Sequence, residues 1–229
     1  MDSQEQCWDD VYNARERFYA ERFGPFPDLV HKLMNLSGVW PGGCLIRLEA
    51  TKLNGVWITS SFGLTNPDMP ATTRTDEFGV EDTEDGRTYT MRCVAREPRD
   101  VPSGLAGYGY EILVVTRQQE EWPLMFLNWA VQMEILRDVE FLDRVQEIGA
   151  VTVEDVQLGE DMRSDFIIGP ALPPFPAGGD LPNGRMNLLI ATAITREGME
   201  AALHYGQAEY LRRLMSSAAQ QTSTLRTHH

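Results

Sequence analysis

The chain has 229 residues, of which 42% are hydrophobic and 24% are charged, a composition typical of a globular protein with a substantial core. Its formal net charge is −14 at pH 7. This charge excludes nucleic acid and anionic membrane surfaces as favoured partners, because both are bound through Lys and Arg. The acidity favours a basic protein partner, or it serves solubility alone.

The sequence contains no recognisable targeting segment. The first residues, MDSQE, lack the basic and apolar regions of a secretory signal, and no run of about 18 apolar residues occurs. We therefore expect a cytoplasmic protein. Cys7, Cys44 and Cys93 are odd in number and far apart, which predicts small buried side chains and neither disulfides nor a metal site. The terminal His228–His229 pair is typical of the start of a purification tag.

The N-terminal part of the chain predicts two helices. Large side chains recur at helical spacing over residues 4–22, at Trp8, Val11, Tyr12, Arg15, Phe18 and Tyr19. Gly24 and Pro25 end this helix, and a second, short helix is expected from Asp28 to Met34. An oligomeric scaffold, with the aromatic first helix as a dimer arm, is one functional hypothesis.

The next part of the chain predicts strands. Two strand-like runs, Cys44–Ala50 and Val56–Phe62, flank an Asn-Gly pair, which is a good hairpin signal. Residues 63–87 contain glycine, prolines and a run of acidic side chains, and we interpret them as a solvated loop. A further strand is expected at Tyr89–Ala95.

The longest strand candidate runs from Tyr108 to Arg117 and presents two faces. One face would carry Tyr108, Tyr110, Ile112 and Val114, and the other Glu111, Leu113 and Val115. After a polar break, Trp122 and Pro123 open a helix, because proline suits the first helical turn. The buried stripe of that helix is predicted at Leu124, Leu127, Val131 and Ile135.

The following segments predict a central strand between loops. Short strands are expected at Val151–Val153 and Phe166–Ile168, and residues 169–184, rich in Pro and Gly, are interpreted as a surface loop. Asn187–Ile194 is almost continuously apolar, as expected for a strand that is covered on both faces.

The end of the chain predicts one helix and a polar tail. Thr195 is expected to cap the helix, whose apolar stripe extends to Leu214. The residues from Ser216 onward are expected to fray.

The order of the elements predicts an α+β fold, an α/β sandwich in which helices pack on a mixed, largely antiparallel sheet. We expect a single domain over residues 1–215. It would combine N-terminal helices at 4–34 with a core at 40–215, followed by a tail at 216–229.

The chain shows no familiar catalytic, metal-binding or cofactor motif. The sequence SSFG at 60–63 lacks the first glycine of a nucleophile elbow, and P-loop, HExxH and CxxC patterns do not occur. His31 and His204 lie on separate predicted helices, where a lone histidine is usually structural. We therefore expect no enzyme and no cofactor. The alternative is an enzyme with a non-standard carboxylate site, which a deep pocket holding several carboxylates would favour.

Three segments, in order, resemble the suppressor of fused (SUFU) domain family. Gly55 to Asp68 resembles the family's apolar strand and its GLS/GLT turn. Residues 107–113 (GYGYEIL) and 121–128 (EWPLMFLN) resemble the strand that carries a glutamate and the Trp-Pro helix start that follows it. Gly184 to Leu214 resembles the closing strand and the final amphipathic helix. The resemblance covers roughly residues 40–215.

This resemblance implies an α/β sandwich and a protein-binding role. Bacterial members of the group are short, like this chain, and some are thought to act as immunity proteins against toxins delivered between neighbouring bacteria. The second part of the long animal proteins is absent here, so their control of transcription factors is not implied. A basic partner, such as a nuclease toxin, would match the acidic surface.

The candidate partner-binding face combines aromatic and acidic residues where strands meet loops: Asp68, Asp82, Glu84, Tyr108, Tyr110 and Glu111. Each of these positions could serve the fold instead, because aromatic residues dominate both cores and interfaces. Glu111 is either an exposed edge residue or a buried acid held by Arg or by backbone amides.

Overall fold

The computed structural model describes residues 3–32, 40, 43–69, 73–83, 86–95, 104–216 and 221–225. Within these ranges the helices and strands follow in this order: α1 (Ser3–Arg22), β1 (Val30–His31), β2 (Cys44–Ala50), β3 (Val56–Phe62), β4 (Thr73–Thr83), β5 (Gly86–Ala95), β6 (Leu105–Thr116), α2 (Trp122–Arg137), α3 (Phe141–Ile148), β7 (Val151–Gln157), β8 (Arg163–Pro170), β9 (Gly178–Leu181), β10 (Gly184–Ile194), α4 (Arg196–Tyr205) and α5 (Gln207–Met215). None of the helices in these ranges is both long and apolar enough to cross a membrane.

Eight of these strands form one mixed sheet. Its order is β1-β2-β3-β6-β10-β8-β7, and β9 pairs with β10. The central pair β6 and β10 runs parallel, and the other described pairs in the sheet run antiparallel. β4 and β5 form a separate antiparallel hairpin. The structure thus confirms the predicted α+β sandwich with a mixed, largely antiparallel sheet.

Helices cover both faces of the sheet because its central strands are apolar on both sides. Tyr110 and Ile112 of β6 pack in one core with α2 and α3, whereas Leu113 and Val115 pack with α1 on the opposite face. The alternation predicted for this strand is therefore confirmed. Ile167 of β8 packs with α4 and α5 in a third, smaller cluster.

The first helix matches its prediction closely and packs on its own domain. Val11, Arg15 and Tyr19 of α1 are fully buried, in agreement with the predicted stripe. The short helix expected at Asp28–Met34 is wrong in its described part, because Val30 and His31 form β1 and pair with β2. So short a helix gains little from its own hydrogen bonds, and pairing at the sheet edge is favoured.

The loop expected at residues 63–87 is wrong over residues 73–83, which form β4, and over 86–87, which begin β5. The acidic residues that suggested a solvated segment occur along a strand. The register of the hairpin places Glu77 opposite Arg92 and Asp82 opposite Arg87. Opposite charges across a hairpin favour strand pairing, so the acidic run is compatible with a strand.

The C-terminal part has more regular structure than its sequence predicts. The helix α3 and the strand β9 occur where no helix and only a loop were expected. The single helix predicted after Thr195 is two helices, because Gly206 has φ of +90° and separates α4 from α5. The predicted cap is confirmed, since the Thr195 hydroxyl accepts a 3.1 Å hydrogen bond from the N–H of Gly198.

The described part of the tail is docked on the sheet rather than frayed. The N–H of Ser223 donates to the carbonyl of Val115 at 2.7 Å, and the Ser223 hydroxyl accepts from the N–H of Ala193 at 3.0 Å. Ser223 thereby bridges β6 and β10 just beyond the point where their own pairing ends. Gln221, fully buried, bonds both the N–H of Leu172 and the carbonyl of Pro170.

The cysteines divide between core and surface. Cys44 is buried, and this burial raises the pKa of its thiol to about 11, so it is inert filler as predicted. Cys7 lies exposed on α1, so the expectation of a buried side chain is wrong there. The side chain of Cys93 lies outside the described part of the chain.

Candidate functional site

A buried carboxylate lies at the centre of the sheet. Glu111 projects from β6 and has no solvent exposure. Its Oε1 atom accepts hydrogen bonds from the backbone N–H groups of Gly63 and Thr65, at 3.0 and 3.1 Å, and from the Thr65 hydroxyl at 2.7 Å. Its Oε2 atom accepts a 2.6 Å hydrogen bond from the Ser61 hydroxyl. These donors replace the water that the carboxylate loses on burial.

Arg15 of α1 supplies the opposite charge. Its Nη1 atom lies 3.3 Å from Oε1 of Glu111 and donates a 2.9 Å hydrogen bond to the Thr65 hydroxyl. Its Nη2 atom donates to Oδ1 of Asn66 at 2.9 Å. The guanidinium carbon lies 4.0 Å from the centre of the Phe62 ring. The pair therefore ties α1, β6 and the segment after β3 together.

The segment after β3, which we call the central turn (residues 63–69), is pressed against the start of β6. The N–H of Tyr108 donates to the carbonyl of Leu64 at 2.9 Å. Gly107 has φ of +55°, and a Cβ at this position would lie 2.4 Å from the same carbonyl oxygen. Only glycine allows this approach without displacing the backbone. The position of the central turn is thus fixed by main-chain contacts as well as by the buried pair.

Asp68 lies near the end of the central turn and is half-buried. Its Oδ1 atom is buried and has no hydrogen-bond partner among the described residues, and burial raises the pKa of this carboxyl. The β9–β10 connection closes the same end of the sheet, since Asn183 donates a 3.0 Å hydrogen bond to the carbonyl of Thr65. A buried acceptor without a partner costs free energy in the folded state.

The structure places three of the predicted partner-binding residues in the interior. Tyr108 and Tyr110 are 6% and 1% exposed, and the Tyr110 hydroxyl donates a 2.9 Å hydrogen bond to a buried glutamate of α2. Tyr108 borders the central turn through its backbone hydrogen bond, and Glu111 accepts hydrogen bonds from that turn, whereas Tyr110 packs on the α2 side of the sheet. The backbone of Asp82 lies in β4, and Glu84 lies outside the described residues. The partner-binding role of all six residues stays a prediction.

Sequence reasoning did not connect Arg15 with this cluster. The signal was present, because Arg15 occupies the apolar stripe of α1 together with Val11 and Tyr19. An arginine at a core position of an amphipathic helix requires a buried acid or several acceptors nearby. Of the two interpretations of Glu111, the buried acid held by an arginine and backbone amides is confirmed.

A second region lies at the opposite end of the sheet. β10 runs parallel to β6, so its last residues lie away from the central turn, which borders the beginning of β6. An open groove of about 1380 Å³ occupies this end, and we call it the acidic groove. Its charged lining consists of Glu154, Asp155, Arg163, Asp165, Arg196 and Glu197. Its apolar lining consists of Met162, Ala193, Ile194 and Leu225.

The ion pairs of the acidic groove are exposed. Nη1 of Arg196 lies 3.4 Å from Oδ2 of Asp165 and also 3.4 Å from Oε2 of Glu154. The side chain of Arg196 is 61% exposed, and that of Arg163, which pairs with Asp155 at 2.5 Å, is 55% exposed. Exposed pairs of this kind contribute little to stability, because water screens them.

Nothing in the described residues forms a recognisable catalytic or metal centre. Within those ranges no group of three or more His, Cys, Asp or Glu side chains could hold a metal ion. His31 lies in the edge strand β1, and the ring of His204 on α4 packs against Tyr205. The pKa of Glu197 in the acidic groove is lowered by hydrogen bonds to its own backbone N–H and to Thr195, whereas a general acid needs a raised pKa.

No protein-family model and no curated protein sequence matches this chain. Solved structures do match it. The chain is similar to one in the crystal structure of the Sufu–Fu complex, with a TM-score of 0.52 and 12% identity, over 96% of this chain and 91% of that chain. It is also similar to the crystal structure of Drosophila Suppressor of Fused, with a TM-score of 0.51 and 13% identity, over 95% of this chain and 49% of that one, so it spans about half of the Drosophila chain. The chain therefore has a suppressor-of-fused-like fold.

Proposed function

We propose that this chain is a non-enzymatic domain that binds another protein. The observation that carries this proposal is the suppressor-of-fused-like fold, which extends over 96% of the chain and is shared with a component of the Sufu–Fu complex. A fold alone does not define a partner. The proposal therefore also rests on the central turn and on the net negative charge of the chain.

The central turn is the face that we propose for the first contact with the partner. The buried Arg15–Glu111 pair and the backbone contact at Gly107 hold the turn in place before binding. A preorganised surface loses less conformational entropy when it binds. Asp68, half-buried near the end of the turn, would contact the partner, and Asp82 and Glu84 would contribute negative charge.

We further propose that the partner is a basic protein and that the chain acts as an antagonist of the immunity type against a bacterial toxin. The net charge of −14 supports a basic partner, because it accelerates encounter with a positively charged surface. The resemblance to short bacterial SUFU-like proteins supports the immunity role and a cytoplasmic location.

An enzyme with a carboxylate site is the competing function, and the acidic groove is the observation that favours it. The groove holds four carboxylates. It is open to solvent, however, and three of these carboxylates lie within 3.4 Å of an arginine. Binding of a protein segment accounts for an open, charged groove better than catalysis does.

The test is affinity isolation from a lysate of the source cell with the purified chain as bait, at low and at moderate salt, read by mass spectrometry. We expect one dominant basic partner whose recovery falls as salt increases, because added salt screens exposed charges. Asp68→Lys should reduce its recovery, whereas Glu200→Lys, a charge reversal on α4 at the opposite end of the sheet, should not. Recovery of no partner at either salt, together with turnover of a metabolite in an activity screen, would refute the proposal.

A further inference from the structure

The acidic groove is larger and more open than a typical small-molecule site. Its volume is about 1380 Å³, whereas pockets for drug-sized ligands are typically about 300–1,000 Å³ and enclose most of the ligand. Its lining combines apolar side chains with charged ones. An extended peptide segment has the dimensions and the mixed character that such a groove accommodates.

We propose that the acidic groove docks a basic, extended segment of the protein partner. Lys or Arg side chains of that segment would face the carboxylates of Glu154 and Asp155, and an apolar side chain would pack against Ile194 and Leu225. This inference rests on the proposed protein-binding function. It adds a second contact surface, at the end of the sheet opposite the central turn.

The charge distribution supports a cationic occupant. The groove is lined by two more carboxylates than guanidinium groups. The hairpin of β7 and β8 that forms one side of it contains five acidic residues and one basic residue between positions 154 and 165. Charge of one sign in a concave surface attracts the opposite charge more strongly than the same charge on a convex surface.

The existing ion pairs leave carboxylates available to a partner. Both contacts of Arg196 are 3.4 Å long, and its side chain is largely exposed. The Arg163–Asp155 pair is shorter, at 2.5 Å, but both of its side chains are more than half exposed. Such contacts exchange with water and with other cations at little cost. Asp165 is different, because it is 8% exposed and its Oδ1 accepts a 2.8 Å hydrogen bond from the N–H of Asp155. We therefore assign Asp165 to holding the shape of the groove, and Glu154 and Asp155 to contacting the partner.

The proposal can be tested without knowing the partner. The full 229-residue chain, labelled with ¹⁵N, is titrated with the peptide acetyl-Arg-Leu-Arg-Leu-Arg-amide and followed by NMR. We expect the largest amide shift changes in residues 154–165, 193–197 and 224–225. The peptide in which both leucines are glycine should bind more weakly, because it cannot use the apolar lining, and the peptide with Glu in place of Arg should not bind.

Two matched variants distinguish peptide binding in the groove from general attraction of the peptide to an acidic protein. Glu154→Gln/Asp155→Asn removes two groove charges, and Glu120→Gln/Asp180→Asn removes two exposed charges elsewhere. Since each of the two exposed ion pairs contributes about 0.2–1 kcal/mol, the groove variant should bind the peptide roughly twofold to thirtyfold more weakly. The control variant should bind it as the original chain does.

Two outcomes would overturn the proposal. One is a set of shift changes scattered over the acidic surface, with equal loss of affinity in both variants, which would indicate general charge attraction. The other is an absence of binding by any of the peptides. Neither outcome depends on affinity isolation, so the groove can fail while the protein-binding function stands, and isolation can fail while the groove binds peptide.

Discussion

The Arg15–Glu111 pair and the Arg196–Asp165–Glu154 group place the same chemical groups in opposite surroundings. The first pair is fully buried, and Glu111 accepts hydrogen bonds from a serine, a threonine and the backbone. In the second group Arg196 is 61% exposed and both of its contacts are 3.4 Å long. A buried charge requires every partner it has, whereas an exposed charge can exchange partners. We infer that the first system supports the fold and that the second is free to interact.

The largest effect on stability is expected from Glu111→Gln, which removes the carboxylate of the buried Arg15–Glu111 pair. The change leaves the charge of Arg15 buried without its counter-charge and should reduce the free energy of unfolding by about 3–5 kcal/mol. Urea denaturation followed by tryptophan fluorescence measures it. Glu120→Gln, which removes an exposed glutamate, serves as the control and should leave the midpoint unchanged. A loss below about 1 kcal/mol for Glu111→Gln, within the range of an exposed pair, would contradict the structural role.

A smaller effect is expected from Ser223→Ala, which tests what stabilises the groove end of the sheet. The change removes the hydroxyl that accepts the N–H of Ala193 and should cost about 1–3 kcal/mol, the usual range for a buried group left without a partner. Thr224→Ala, at the exposed neighbouring position, should cost much less. Equal stability of the two variants would indicate that the docked tail does not support the sheet.

Arg196→Ala should leave the free energy of unfolding almost unchanged, because both of its ion pairs are exposed. Urea denaturation of this variant and of Arg15→Ala compares the stability that the exposed and the buried arginine contribute. The Arg15 variant should lose several times more stability. Similar losses in the two variants would show that exposure does not distinguish the two systems.

The smallest effect, and one of opposite sign, is expected from Asp68→Asn. Burial raises the pKa of this carboxyl in the folded state, so the folded protein holds the proton more tightly than the unfolded chain does. Stability is then lost as the pH rises through the folded pKa. At pH 7 the variant should be as stable as the original chain or more stable, by less than about 1 kcal/mol. Thermal denaturation at pH 7 and near pH 3 tests this, since the difference should shrink at the lower pH; a clear loss of stability at pH 7 would contradict the assignment.

The sequence predicts a helix or strand correctly wherever its hydrophobic periodicity matches the side chains that the fold buries. The bounds of β2 and β3, the two faces of β6 and the Trp-Pro start of α2 all follow from patterns that one strand or helix contains. The prediction of a loop over β4 and of one helix after Thr195 failed, because the outcome depends on a cross-strand partner in one case and on the conformation of Gly206 in the other.

The candidate site also depends on contacts between residues that are distant in the chain. The sequence left open whether Glu111 is exposed or buried, and the answer depends on Arg15, which lies 96 positions away. The acidic groove combines residues from β7, β8, α4 and the docked tail. Such a site has no local signature, because its members are neighbours only after the sheet has formed.

The most direct test of the account compares three baits in one affinity isolation at low salt: the original chain, Glu154→Gln/Asp155→Asn and Glu120→Gln/Asp180→Asn. The account predicts that the original chain and the second double variant retain the same dominant basic protein. The groove variant should retain clearly less of it while unfolding at the same urea concentration. Equal recovery by all three baits would contradict the role of the groove, and recovery of no protein by any bait would contradict the proposal that this domain acts by binding another protein.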